Sequence, residues 1–444
     1  MNQRGRVPGE GVTLEDDRQS DPDAQRDRRH HHRDDVVESR EDDERYVRSR
    51  LRRSKSSIRS AMALRTVTLG AVVLALTTAS ACGGDRQSAH RRASPGIAGR
   101  GRAVAADPRP CARQRADVPG FFSLMTTNRP DGWITADLPA SVDLRDGRVL
   151  WLFGDTWTGA RAPGGGMAPG ARLQHNSALV QTGGCVDRVG SAGGGWLTIP
   201  GTDDFWWPAA GVVPGGVHGR VVEVYVTRVR RTGLGVFDFA SVGMDVVQLR
   251  RSDLAVLGVR PLPHQERLWA SSVVADGGWL YLFGRDYTAG PSTYLARVGA
   301  GDLGGRWEFR SGRGWSRDPA QATPVLTAPP FNNPTVARLH DGRWLAIAKD
   351  REFDGTTLIG WTARAPQGPW RATGPLIAAP TSGRPDEFTY LAASHPEINL
   401  AGKRLLVSWN LNSRAADLDS LIDPVVATYG PRFAAIQVPR DRRR

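Results

Sequence analysis

Three cysteines, three lysines and one long uncharged apolar stretch are all that 444 residues provide of each. So few cysteines exclude a cystine-rich miniprotein and a multi-cysteine zinc module. No Walker loop, Rossmann glycine fingerprint, zincin motif or Gly-x-Ser-x-Gly elbow occurs, which removes nucleotide-binding, zinc-protease and serine-hydrolase readings. The sequence also lacks an amphipathic helix of convincing length. What it has is 40% hydrophobic and 24% charged residues with 51 glycines and 30 prolines, a balance that excludes a collagen-like, coiled-coil or wholly disordered chain.

The charge is uneven in kind and place. A formal net charge of +13 and a pI near 10.5 raise nucleic acid as a partner until the charge is located. Residues 1–61 are dense in Arg, Asp and Glu, include the run His30, His31, His32, and read as a disordered leader, with a true start expected at or near Met62. Residues 62–81 end in the apolar run Thr66 to Ala81, about sixteen residues, short for a bilayer span of about 20. That run reads as the core of a signal peptide. Ala79-Ser80-Ala81-Cys82-Gly83-Gly84 resembles the bacterial lipoprotein processing site, so Cys82 is expected to be lipidated and to hold the protein on the outer face of the cytoplasmic membrane. Cleavage after Ala81 without lipidation, giving a secreted protein, is the alternative.

On this reading the basic excess belongs to an exported, monomeric domain that faces the cell envelope and binds no nucleic acid; high-GC codon usage substituting Arg for Lys is an equal alternative explanation of the charge. Cys111 and Cys185 are then left as a pair in an oxidising compartment, where a disulfide is expected. Residues 82–117 form a Gly-, Arg-, Ser- and Pro-containing tether, 118–438 the folded unit, and 439–444 a basic tail.

Within 118–438 one hairpin pattern recurs five times: Ala136 to Asp155, Trp206 to Thr227, Leu268 to Asp286, Asn332 to Asp350 and Ser394 to Asn410. Turn glycines Gly147, Gly219, Gly277, Gly342 and Gly402 punctuate the copies. Short β-branched and aromatic runs between turns indicate an all-β chain. Five units at this period predict a five-bladed β-propeller, each hairpin forming the first two strands of a blade. Ser292 to Val298 and Thr357 to Arg364 supply outer strands. A β-sandwich with coincidental hairpins is the competing architecture.

Inner strands of a propeller converge their polar ends on one funnel. With the first turn centred on Asp146, Asp137 stands opposite Asp155, and opposed side chains point to one face about 4.5–5.5 Å apart. Two carboxylates so placed disfavour joint ionisation, which suits glycoside hydrolysis, where one acid protonates the leaving oxygen and the other is nucleophile or base. Turn capping by Asp155 is an equal alternative on spacing alone. The same arithmetic brings Asn333 or Asn332 opposite Asp350 and His395 near Asn410. Asp203 and Asp204 are expected at the funnel entrance, and Trp157 and Trp207 to offer stacking faces to sugar rings, beside Trp206, Trp269, Tyr287 and Tyr390.

The segments RVLWLFGDTW, HNSALV, DDFWWPAAG, WLYLFGRDY, FNNPTV and ASHPEINLAGKRLLVSWNLNS, in this order, resemble a family of uncharacterised-domain propellers common in actinobacterial secreted proteins and lipoproteins. Related propellers include endo-D-arabinanases and, more distantly, five-bladed arabinanases and fructosidases. The resemblance covers about Val118 to Val438. It implies an arabinofuranose-containing envelope polysaccharide as substrate and matches Asp137 and Asp155 to the acidic pair of the first blade. No acid follows Pro208, where a typical relative carries one. The resemblance requires no cofactor and leaves a central calcium open, as in some distant relatives. The competing function is a non-catalytic glycan-binding or scaffold lipoprotein.

Overall fold

The computed structural model describes residues 132–439 apart from 138, 161, 163–166, 191–194, 234, 236, 289, 328–333, 352, 382, 385 and 415–428. The leader, signal, Cys82, tether, Cys111 and Asn333 lie outside the described residues, as does all but the first residue of the basic tail. Cys185 is disulfide-bonded. Among the described residues there is no α-helix, and no helix long and apolar enough to cross a membrane.

All five repeated hairpins form, and each provides the first two strands of its own antiparallel sheet. The first sheet runs Ala140–Asp143, Arg148–Phe153, Ser177–Thr182, Cys185–Arg188, and the second Phe205–Val212, Val221–Arg231, Phe239–Arg250, Val256–Pro261. The third begins with Leu268–Asp276, Trp279–Arg285 and Ser292–Gly299, the fourth holds Thr335–Arg338, Trp344–Lys349, Thr357–Ala363 and Arg371–Ala378. Glu387–His395, Arg404–Ser413 and Gly430–Gln437 make the fifth. Strands follow chain order along the main path of each of these sheets, mostly through turns between neighbours, with a longer excursion from Phe153 to Ser177 in the first. At the first turn Gly147 sits at φ +89°, a conformation that disfavours a side chain. Gly219 is different: it is extended, and a Cβ there would lie 2.6 Å from Val213.

Burial then arranges the sheets in a cycle. Successive apolar residues point to opposite faces, as Leu150 and Leu152 do to one side and Trp151 and Phe153 to the other, so each sheet has two buried faces and one hydrophobic cluster forms between each successive pair. Val142, Leu150 and Leu152 of the first sheet pack on Val222, Val224 and Val247 of the second. Tyr225 and Val246 meet Leu280 and Leu282 across the next interface, Phe283 meets Trp344, and Leu345 meets Val407. Trp151, Phe153 and Leu179 of the first sheet pack against Leu406 of the fifth, closing the cycle. First strands also touch in this order, with Glu387–His395 reaching Ala140–Asp143. The result is a β-propeller-like all-β fold.

The first hairpin continues beyond its sheet. Its register, Ser141 opposite Trp151 and Val142 opposite Leu150, resumes in a separate small sheet where Ala136 opposes Thr156 and Thr135 opposes Trp157. Between the two sheets the ladder is reduced to Asp137 N–H to the Asp155 carbonyl and Gly154 N–H to the Asp137 carbonyl, both 3.0 Å. Pro139 has no N–H to offer at this break. The third strand of the small sheet is Arg172–Gln174.

Candidate active site

The first strands of all five sheets and the small sheet border one cavity of about 690 Å³. Ala140, the Trp207–Ala209 segment, Ser271, Thr335 and Tyr390 to Ala393 represent the five sheets in its wall. Bulges aim several of these positions. The ladder shifts between Pro208 and Ala210, between Leu268 and Ser272, and between Tyr390 and Ala393. Ala270 at φ +74° and Leu391 at φ +49° carry the left-handed conformations those bulges need.

Asp137 and Asp155 are the cavity's carboxyl groups among its described lining residues. Their environments differ. Asp137 is 8% exposed, and its pKa is pushed up to about 8, first by burial and then by the charge of Asp155. Tyr390 Oη donates to its Oδ2 at 2.7 Å, which opposes that rise, while Oδ1 has no partner within hydrogen-bond distance. Asp155 is more open, with 24% of its side chain exposed. Its Oδ1 accepts from Trp207 Nε1 at 2.9 Å and from His175 Nδ1 at 3.0 Å, the tautomer that carries the proton on Nδ1 being the one an acceptor-only carboxylate selects. His175 is itself held by stacking on Phe205, 3.7 Å between centroids at 17°. Tyr429 Oη donates to the Asp155 carbonyl at 3.0 Å and stands beside the Asp137 carboxyl. One acid is thus protonated at neutral pH next to another that receives two N–H donors, an arrangement capable of acid catalysis beside a nucleophile or base.

The structure brings together Asp137, Asp155, Trp157 and Trp207 at this cavity, with Tyr287 and Tyr390 also in its wall. Other expected residues lie elsewhere. Asp204 is engaged by Arg230, two contacts of 2.8 Å, and lines a separate surface depression on the second sheet; Asp203 is exposed. Asp350 pairs with Arg351 at 3.6 Å outside the cavity lining. His395 does not face Asn410: the fifth hairpin turns earlier than expected, placing His395 opposite Leu406 and Asn410 opposite Tyr390. The 3-10 turn Ala401–Lys403 sets that register. His395 is fully buried between Ser141 Oγ at 2.6 Å and Ser408 Oγ at 2.8 Å, and burial pushes its pKa down to about 3. Asn410 is buried and absent from the cavity lining. Trp206 and Trp269 are core residues that donate to Asp245 and Glu266.

Sequence reasoning missed His175, Tyr429 and the aromatic residues Phe237, Phe239, Phe353 and Phe388 of the cavity wall. His175 had a usable signal. Phe153 opposes Ser177 in the first sheet, so extending that register by two residues places His175 against Asp155. Nothing local marks the others.

A calcium ion takes six to eight oxygen ligands. Among the described residues no group of three or more His, Cys, Asp or Glu could hold a metal, and the cavity offers two carboxyl groups, one of them protonated at neutral pH. No chemistry is assigned to a calcium ion.

The chain belongs to the family described as Domain of unknown function (DUF5005), whose model matches residues 122–438. A curated relative, Notoamide biosynthesis cluster protein J' of Aspergillus versicolor, is 32% identical over 103 residues, which are 21% of this chain and 27% of that protein. Among solved structures, a Bacteroides ovatus protein provisionally described as a hydrolase aligns with TM-score 0.58 at 16% identity, over 72% of this chain and 89% of its own. The GH43 protein BlXynB from Bacillus licheniformis aligns with TM-score 0.43 at 9% identity, over 70% of this chain and 54% of its own. A GH43_1 enzyme from Xanthomonas citri aligns with TM-score 0.41 at 14% identity, over 71% and 93%. At such identities the likeness is one of fold, and function has to be argued from the site.

Proposed function

We propose that this chain is a glycoside hydrolase whose five cyclic sheets are propeller blades and whose catalytic pair is Asp137 and Asp155. The observation that carries this reading is the difference between the two acids: Asp137 protonated in a buried setting, Asp155 accepting from Trp207 and His175 in the same cavity. Asp137 gives its proton to the glycosidic oxygen as the bond from that oxygen to the anomeric carbon breaks. Asp155, whose two N–H bonds fall on Oδ1, uses Oδ2 either to bond the anomeric carbon or to take a proton from the water that does so. Trp157 and Trp207 flank the sugar.

The substrate is an arabinofuranose-containing polysaccharide of the cell envelope, and a lipid on Cys82 holds the enzyme beside it. The net positive charge and the order of sequence segments support this reading. A reducing-end assay on purified arabinan and arabinogalactan tests it. Release of sugar by the wild type and its loss in Asp155→Asn are expected. Binding of these glycans with no release from any of them would overturn hydrolysis and leave a glycan-binding propeller.

A further inference from the structure

One side of the cavity carries exposed phenyl rings. Among the described residues the exposed large hydrophobics are Val217, Phe237, Val242, Leu257 and Phe353, and both aromatic members line this cavity. Phe237 is 51% exposed and Phe353 43%. They come from different sheets: Phe237 from the turn joining Val221–Arg231 to Phe239–Arg250, Phe353 from the turn joining Trp344–Lys349 to Thr357–Ala363. Both turn toward Phe388 on the fifth sheet, with centroid separations of 6.3 Å for Phe237 and 5.3 Å for Phe353. Two half-exposed phenyl rings converging from two sheets on the buried Phe388 of a third leave apolar surface in water that a monomer would ordinarily bury.

The position of this cluster relative to the acids gives it a meaning. Tyr390, the donor to Asp137, packs 5.3 Å from Phe388 and 6.1 Å from Phe353. The phenyl rings therefore lie on the side of Asp137, the group that protonates the leaving oxygen, whereas Asp155 is backed by His175, Phe205 and Trp207. Phenyl rings present no donor or acceptor to sugar hydroxyls. Their quadrupoles favour edge-to-face or offset contact with another aromatic ring. The turn bearing Phe353 is also tied down: Arg414 pairs with Asp354 at 2.8 Å and lies over the Phe388 ring at 5.5 Å.

We infer that Phe237, Phe353 and Phe388 form a subsite for an aromatic aglycone, so that the site also takes glycosides whose leaving group carries an aromatic ring. This rests on the glycosidase reading of Asp137 and Asp155, though not on the identity of the sugar. Burying one such ring is expected to tighten binding by at least about tenfold over a methyl group at the same position.

Isothermal titration of the Asp155→Asn protein compares 4-nitrophenyl and methyl α-L-arabinofuranoside, with the corresponding galactoside and xyloside pairs and 4-nitrophenol as further probes. The aryl member of a bound pair should bind at least about tenfold more tightly, and the ratio should fall toward one when Phe237→Ala and Phe353→Ala are added. Both rings are half-exposed, so truncation opens no core; a thermal melt of the triple variant checks this. Equal affinity within every bound pair, or an aryl preference that survives the two truncations, overturns the subsite. Binding of 4-nitrophenol that is lost on truncation, with no aryl preference among the glycosides, overturns the aglycone role of the rings. Failure of every probe to bind overturns the subsite, while the glycosidase reading stands or falls on the reducing-end assay.

Discussion

Tyr390 Oη donates to Asp137 Oδ2 at 2.7 Å, joining residues 253 positions apart and tying the fifth sheet to the first at the buried acid. A hydrogen bond to a carboxylate favours the charged form, so this bond restrains the upward shift that burial imposes on Asp137. Tyr390→Phe removes the donor and keeps the ring. The Asp137 pKa is then expected to rise above about 8, followed by carboxyl carbon NMR over a pH titration. A fall would show that Tyr390 serves the protonated acid instead.

Asp155 acts on the same group in the opposite sense, since its charge is the second cause of the raised Asp137 pKa. Asp155→Asn should therefore lower the Asp137 pKa in the same titration. Catalytic turnover of any glycoside found to be a substrate should fall by at least about a hundredfold, the scale of a lost acid–base or nucleophilic group. An unchanged Asp137 pKa would mean that the two carboxyls are not electrostatically linked.

Stability should depend on pH through the buried carboxyls. Burial raises Asp137 to about 8 from 3.8 and Glu397 to about 7 from 4.5, so the folded state keeps protons that the unfolded chain has released. With fewer protons bound in the unfolded state, stability falls as pH rises from about 4 through these folded values. His395, lowered to about 3 from 6.5, works the other way, but only below about 6.5. Between pH 6.5 and 8 His395 no longer contributes, and Lys349, lowered to about 8 from 10.5, opposes the carboxyls only as pH nears 8. Melting temperature should decline across that window in the wild type and decline less in Asp137→Asn. An equal decline in both would remove Asp137 from the linkage.

His395 joins Ser141 of the first sheet to Ser408 of the fifth, inside the interface that closes the cycle. His395→Ala leaves the buried Ser408 hydroxyl and the part-buried Ser141 hydroxyl without this partner, a loss on the order of 1–3 kcal/mol in chemical denaturation. The Asp137 titration should be little changed, because His395 lies outside the cavity lining. A stability equal to wild type would show that the closure does not depend on this bridge.

The amino-acid sequence by itself determined what short-range geometry controls. Glycine turns flanked by alternating apolar residues identify all five hairpins, and the turn at Asp146 and Gly147 sets a register that keeps Asp137 opposite Asp155 even across the break at Pro139. Only the tertiary structure decided the surroundings of that pair. Tyr390, Trp207 and His175 come from different sheets or distant strands, and His395 falls outside the cavity because its side chain is buried between Ser141 and Ser408, beyond the Tyr390 to Ala393 stretch that lines it. Bulges at Ala270 and Leu391 are strained locally and are held by packing around them. A turn is specified within a few residues, whereas the charge state of a buried acid depends on what the closing of five sheets places around it.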